Sequence, residues 1–259
     1  MPKCRLDQLM TQRGVTPTRS QAESWIKLGR VTVNGQVVTK PGQFVDHEAQ
    51  IVLSAVEQYV SRAGLKLASV ANGFGLTFAN AVVLDVGSST GGFTDYALQH
   101  GAATVYAVDV GTDQLHPSLR GKVQVEVYEK TDIRDVYIKT DNDKRLKRQG
   151  GVMLAGRPDI VLVDVSFISV RQILPHIVTL AKPSTQIVVM VKPQFEAVQG
   201  QIGRSGVIKN DGVRRTILKD FEQWAKQYFI ITAKADSTVK GARGNQERFF
   251  VLHPKNISK

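Results

Sequence analysis

Val82-Val83-Leu84-Asp85-Val86-Gly87-Ser88-Ser89-Thr90-Gly91-Gly92-Phe93-Thr94 is the stretch from which the fold is read. An apolar run ending in an acid passes into a loop of Gly, Ser and Thr, then into a helical pattern. That succession is expected of a buried parallel strand turning sharply into a helix. Glycines let the backbone approach a ligand, and a helix start offers unpaired N–H groups. Asp109 follows a second apolar run, Thr104-Val105-Tyr106-Ala107-Val108. An acid after the second strand of a dinucleotide-type fold is placed to hydrogen-bond ribose hydroxyls.

Two ligand classes compete for this loop. A phosphate cradle calls for a Lys or a spaced Gly-x-Gly-x-x-Gly. Neither is present, and Asp85 at the loop's mouth repels phosphate and suits an amino group. S-adenosylmethionine, whose charged end is an amino acid and a sulfonium, is therefore the expected ligand. The plain alternative is a Gly-rich turn that binds nothing.

Working outward, apolar runs and helical periodicities alternate along the chain. Strands are expected near 82–86, 104–108, 123–127, 159–163, 186–191, 229–235 and 247–252, and helices near 63–73, 92–100, 169–181 and 211–227. This predicts an α/β domain with a Rossmann-like, mostly parallel sheet of seven strands, whose ligands sit at the carboxyl ends of the strands. Asp85, Asp109, Asp132, Asp164 and Lys192 all fall at or just beyond such ends. Residues 137 to 157 interrupt the pattern with Lys139, Lys144, Arg145, Lys147 and Arg148, and read as a mobile basic loop.

The 259 residues suffice for one large domain and a small one. The formal charge of +11 points to an anionic partner, a nucleic acid or an anionic membrane surface. The single cysteine, Cys4, excludes an internal disulfide and fits a reducing compartment. No apolar h-region opens the sequence, and no run approaches the roughly eighteen residues of a spanning helix. A cytoplasmic monomer is the simplest expectation. No His or Cys cluster has metal-ligand spacing, and no metal is expected.

Residues 1–53 read as a separate small α+β unit, with 54–60 as linker and 61–259 as the large domain. Leu6, Leu9 and Met10 share one helical face. Ser20 with Glu23 suggests a capping box for a second helix, Asn34-Gly35 a hairpin turn, and Val45 to Val52 a further strand. Arg5-Leu6-Asp7, Thr18-Arg19-Ser20-Gln21-Ala22, Gly29-Arg30-Val31-Thr32-Val33-Asn34-Gly35 and Lys40-Pro41-Gly42 resemble an S4 RNA-binding domain. That resemblance implies docking on structured RNA, with Arg5, Arg19, Lys27, Arg30, Lys40 and, beyond the unit, Arg62 presented to phosphates. Arg13 is a further candidate. Charge alone does not decide it, since residues 1–60 carry seven Lys and Arg against five Asp and Glu.

Asp164 and Lys192 end two apolar runs, and a charge at the end of a buried strand is costly unless paired or functional. Structural ion pairs at the sheet's edge are the bland explanation. Tyr59-Val60-Ser61-Arg62 with Lys66, Leu84 to Asp95, Asp164-Val165-Ser166-Phe167-Ile168-Ser169, Val191-Lys192-Pro193-Gln194-Phe195-Glu196, Gly206-Val207-Ile208 and Gly244-Asn245-Gln246-Glu247 resemble the TlyA (hemolysin A) group of FtsJ-like methyltransferases. The resemblance implies S-adenosylmethionine-dependent 2′-O-methylation of ribosomal RNA, at cytidine, by a tetrad that falls on Lys66, Asp164, Lys192 and Glu247. Cofactor contacts are then expected at Asp85, Gly87, Ser88, Ser89, Thr90, Gly91, Gly92, Phe93, Asp109, Asp132 and Asp164. Ala63 and Ser88 replace the Gly and Ala of many relatives.

The chemistry suits these residue types. A ribose 2′-hydroxyl is a poor nucleophile until its proton is removed, and a lysine does this only when neutral, against an ordinary pKa of about 10.4. Lys192 is the expected base and Lys66 the polarising cation, with Asp164 and Glu247 orienting them and balancing charge. Phe167 and Phe195 flank the cleft, where apolar packing is preferred to stacking on a flipped base. The rival readings are a membrane-active protein, a ribosome-binding assembly factor with an idle site, and a base methyltransferase. Asp164-Val165-Ser166-Phe167 stands where base-amine enzymes of this fold often carry an Asn-Pro-Pro-Tyr-type loop.

Overall fold

The central strands begin and end where apolar runs meet acids and glycines. The computed structural model describes residues 3–16, 18–27, 29–54, 59–139, 151–198, 201–203, 206–241 and 244–255. The chain divides into two compact units, Met1–Arg62 and Ala63–Lys259.

In the first unit, β1 (Lys3–Arg5) leads directly into α1 (Leu6–Gln12), which packs on α2 (Arg19–Lys27). Leu6, Leu9, Met10, Ala22, Trp25 and Ile26 are buried between them at helical spacing. Because α2 starts at Arg19, Ser20 lies inside its first turn and is not the cap. Thr18 Oγ1 takes that role, accepting from Gln21 N at 3.3 Å. Glu23 pairs instead with Arg19 and Lys27, at 3.8 and 3.5 Å. β2 (Val31–Val33) and β3 (Gln36–Val38) form the expected hairpin. Its turn needs positive φ, which Asn34 and Gly35 supply at 50° and 79°. The expected strand over Val45 to Val52 is two strands. β4 (Phe44–Asp46) pairs with β1 and β5 (Ile51–Leu53) with β2. Asp46 breaks the run, its carboxylate accepting from Glu48 N at 2.9 Å to fold the chain into a turn.

The second unit opens with α3 (Arg62–Ala71) and is built on a seven-stranded sheet. Its strands are β6 (Val82–Val86), β7 (Thr104–Val108), β8 (Val125–Tyr128), β11 (Ile160–Val163), β12 (Gln186–Val191), β13 (Phe229–Asp236) and β14 (Arg248–Pro254). Their order is β13-β14-β12-β11-β6-β7-β8, and only β14 runs against its neighbours. This is the Rossmann-like, mostly parallel seven-stranded sheet expected from the sequence. The helices are α4 (Gly92–Gln99), α5 (Pro117–Arg120), α6 (Leu174–Leu180), α7 (Pro193–Glu196) and α8 (Asp211–Tyr228). Parallel strands covered on both faces read as unbroken apolar runs, and β11 and β12 are buried over nearly their whole length.

Three expectations change. The third strand starts at Val125 rather than 123, since Val123 is almost wholly exposed. The helix expected over 169–181 is a 3-10 turn, Val170–Gln172, followed by α6, because Ser169 caps the turn and Pro175 resets the helix start. The stretch 137–157 is not a loop throughout: β9 (Val136–Ile138) and β10 (Val152–Leu154) pair in parallel. Lys144, Arg145, Lys147 and Arg148 lie outside the described residues, as do 55–58 of the expected linker.

Candidate active site

The loops that follow β6, β11 and β12 enclose a small cavity of about 140 Å³. Asp85, Gly87, Ser88, Ser89, Thr90, Phe93, Asp164 and Lys192 line it, with Ala63 and Ser166. A second cavity of about 490 Å³ shares Gly87, Ser89, Asp164 and Ser166 and runs along the ends of β6 and β7 to Asp109, Asp132 and Phe167. Gly91 and Gly92 line neither. Gly91, at φ 90°, lies so close to Leu119 and Leu115 that a β-carbon would strike both, so its place is in packing.

The loop's course follows from its hydrogen bonds. Gly87 N and Ser88 N both donate to Val108 O, at 2.9 and 3.1 Å, tying it to the end of β7. Gly87 has φ 80°, and a β-carbon there would come within 2.7 Å of Asp164 O. Asp109 braces the next turn, accepting from Ser89 N at 2.8 Å and Gly111 N at 2.7 Å. Asp132 caps a 3-10 turn and takes the Arg134 guanidinium on both oxygens, at 2.9 and 2.6 Å.

Asp85 stands apart from these braced acids. It is 1% exposed; Oδ2 accepts from Thr94 Oγ1 at 2.7 Å, while buried Oδ1 has no hydrogen-bond partner. Burial pushes its carboxyl up to about 7, against the hydrogen bond from Thr94 and with Asp164 adding repulsion. An unsatisfied buried acceptor beside a glycine cradle suits a cationic amine, not a phosphate. The apolar wall of the larger cavity, from Val86, Val108 and Ile168, with Asp109 at its side, suits a nucleoside. The residues present thus fit S-adenosylmethionine.

The four tetrad candidates form two ion pairs. Lys192 Nζ lies 2.6 Å from Asp164 Oδ1 and donates to Ser166 Oγ at 2.8 Å. Lys66 Nζ lies 2.5 Å from Glu247 Oε2. Lys66, Lys192 and Glu247 are 8%, 9% and 3% exposed. Lys66 and Glu247 line neither cavity; Ala63, one helical turn before Lys66, lines the smaller one. Phe167 is 87% exposed, contrary to the packed position expected of it, and holds a left-handed φ of 70° with its ring 5.4 Å from that of Phe195.

The basic residues of the first unit divide into two kinds. Arg5 and Arg19 both bind Asp7, each at 2.8 Å, and the Asp7 side chain is wholly buried. Arg13 is committed to the carbonyls of Ala49 and His47, which corrects its reading as a phosphate contact. Lys27 pairs with Glu23, Arg30 and Lys40 are exposed, and Arg62 opens α3 half-buried.

Of two carboxylates that brace the loops around the site, Glu129 went unread in the sequence and Glu196 was quoted only within a motif, with no role. Glu129 accepts from Asp113 N, Gln114 N and Leu115 N, at 2.8, 2.8 and 3.1 Å, and pairs with Arg120 at 2.5 Å. It thereby shapes the loop that brings Gly111 and Gln114 to the larger cavity. Glu196 accepts from Ser169 Oγ and Val170 N.

Comparison with known proteins agrees with this architecture. An FtsJ-like methyltransferase family model matches residues 59–254, and an S4 domain model matches residues 4–51. The 16S/23S rRNA (cytidine-2′-O)-methyltransferase TlyA of Mycobacterium tuberculosis is 35% identical over 254 residues, 96% of this chain and 90% of that protein. Hemolysin A of Brachyspira hyodysenteriae is 36% identical over 244 residues, 94% of this chain and 97% of that one. A solved structure of a candidate hemolysin from Streptococcus thermophilus superposes with a TM-score of 0.69 at 35% identity, covering 99% of this chain and 90% of that one. These matches cover nearly the whole chain, and the chain belongs to the FtsJ-like methyltransferases, in the S4-bearing group of TlyA and hemolysin A.

Proposed function

We propose that this enzyme methylates the 2′-hydroxyl of a ribose in ribosomal RNA, at a cytidine, with S-adenosylmethionine as donor. The observation that carries the reading is Lys192: a buried amine at the wall of the cavity, held at 2.6 Å by Asp164 and 2.8 Å by Ser166, in a cavity also lined by Asp85, whose Oδ1 has no hydrogen-bond partner. The relative named for cytidine-2′-O methylation supports the choice of acceptor.

The donor, when bound, supplies a methyl group on an electrophilic sulfonium. The chain's own residues do the rest. Asp85 would hold the ammonium end, in the cavity that Gly87 to Thr90 line. Asp109 offers its remaining lone pairs to ribose hydroxyls, and Asp132 lines the far wall. Lys192 Nζ passes a proton to its ion-pair partner Asp164 and, as the neutral amine, takes the 2′-hydroxyl proton, so the proton released by the ribose is balanced within the pair. Lys66, neutralised by Glu247, adds a fixed dipole nearby. Phe167, exposed beside Phe195, offers a face on which a flipped base stacks. The S4 unit docks on structured RNA, with Arg30 and Lys40 toward phosphates. Among the described residues no helix is long and apolar enough to cross a membrane, and the cleft supports methyl transfer over the membrane-active reading.

The test is methyl transfer from labelled S-adenosylmethionine to unmodified ribosomal subunits, with nucleosides identified by mass spectrometry. Wild type yields 2′-O-methylcytidine, and Lys192→Ala loses about 10²- to 10⁴-fold in rate. A base-methylated product overturns the acceptor; undiminished transfer by the variant removes Lys192 from its role.

A further inference from the structure

The short helix α7 does more than terminate β12. Lys192 flanks it at one end in an extended conformation, and Glu196 is its last residue, four positions on. Both reach the same segment of chain. Lys192 takes Asp164 and Ser166 at its near end. Glu196, its side chain 1% exposed, accepts from Ser169 Oγ at 2.7 Å and Val170 N at 2.8 Å, with Arg171 Nε at 3.2 Å, at the far end. Between these anchors run Val165 to Ile168. They include Phe167 in its left-handed conformation, which a residue bearing a β-carbon keeps only where its surroundings enforce it. Arg171 in turn lies over the Trp224 ring at 5.7 Å, extending the support to α8.

We infer that Glu196 is a positioning residue that pins the far end of this strap, so that Asp164 and Ser166 meet Lys192 and Phe167 stays at the cavity. Glu196 lines neither cavity, so it acts through the strap and not on substrate. Its effect on rate rests on the ribose-methylation reading; its effect on the geometry of Lys192 does not.

The experiment compares wild type with Glu196→Ala and Arg171→Ala. The arginine variant removes the ion pair but leaves the Ser169 and Val170 contacts. One readout is the rate at which trace acetic anhydride acylates Lys192, followed by peptide mass spectrometry across a pH series. The other is kcat and the cofactor KM. Glu196→Ala raises Lys192 acylation and lowers kcat, each about tenfold, because a small displacement of reacting groups is costly, and raises cofactor KM by a smaller factor, because Val165 to Ile168 also line the larger cavity. Arg171→Ala stays near wild type in both. Unchanged Lys192 acylation in Glu196→Ala overturns the inference. So does a rise shared equally by Lys66, which marks general loosening. Glu196→Gln keeps an acceptor for Val170 N and shows the same changes at smaller size, which serves if the alanine variant does not fold. If wild type forms no 2′-O-methyl product yet the acylation contrast holds, the ribose reading falls and the positioning role stands.

Discussion

Lys66 Nζ lies 2.5 Å from Glu247 Oε2, with side chains only 10% and 3% exposed, so neither charge is shared with bulk water. Removing one partner of such a pair leaves the other buried and uncompensated, whereas replacing both with apolar groups is often nearly neutral. Glu247→Ala is therefore expected to destabilise the enzyme by about 3 kcal/mol in denaturant unfolding. Lys66→Met combined with Glu247→Leu regains most of that loss, while methyl transfer stays low in both. A single variant as stable as wild type would show the pair to be solvated.

Asp85 links cofactor binding to pH. Burial holds its carboxyl near 7 in the native protein, whereas in the unfolded chain it ionises near its ordinary value of about 4. Between those values the native state keeps a proton that the unfolded state has released, so stability falls as pH rises through this window. Cofactor affinity moves the other way, because the ammonium end prefers the ionised carboxylate. Calorimetric titration from about pH 6 to about pH 8 is expected to show tightening in wild type and a flat, weak profile in Asp85→Asn. Identical profiles in the two proteins would contradict this role.

Glu129 shapes the larger cavity from behind. Burial raises its carboxyl, but the N–H groups of Leu115, Asp113 and Gln114 and the Arg120 guanidinium outweigh it and bring the value down to about 2. Glu129→Gln is expected to raise cofactor KM severalfold with kcat preserved, since the turn from Asp113 to Leu115, which carries Gln114 to the cavity, is weakened while Lys192 is not. The stability the native carboxylate confers is present at neutral pH and lost as pH falls from about 4 toward 2. Equal losses in kcat and kcat/KM would place Glu129 in the chemical step instead.

Basic residues of the S4 unit should separate by experiment as they do in structure. Arg30→Ala and Lys40→Ala are expected each to lower the salt dependence of RNA binding by about one unit of slope, with unfolding unchanged. Arg5→Ala and Arg19→Ala release Asp7, whose carboxyl these two arginines hold down at about 2 against the effect of burial, and so reduce the unit's stability as well. Salt-titrated binding curves beside thermal unfolding distinguish the two classes.

Much of the fold is legible because the physics is local. β6, β7 and β12 span the residues their apolar runs predict, since a strand buried on both faces tolerates nothing else. The β9–β10 pair was not legible: strands of three residues carry no usable period, and their parallel partnering is decided by tertiary contact. The split at Val45 to Val52 turns on one Asp side chain bonding its own backbone, which looks in sequence like an alternating strand residue. In the site, Asp85 and Asp109 announce themselves by their place after strands. Lys66 and Glu247 were found through family resemblance, and no spacing joins residues 66 and 247. Glu129 escaped notice, and Glu196 was quoted without a role, because a carboxylate that gathers backbone N–H groups has no sequence period at all.

The antiparallel placement of β14 has a consequence in time. Its neighbours β12 and β13 are both made before it, and β14 enters between them, bringing Glu247 just ahead of its first residue. A chain emerging from the ribosome can therefore form the glycine loop and the Lys192–Asp164 pair while Lys66 still lacks its counter-charge and β13 has no neighbour to pair with. β14 thus brings the charge of Glu247 to Lys66 and joins β13 to the sheet in a single event, so neither is in place until residues 247–254 have been made.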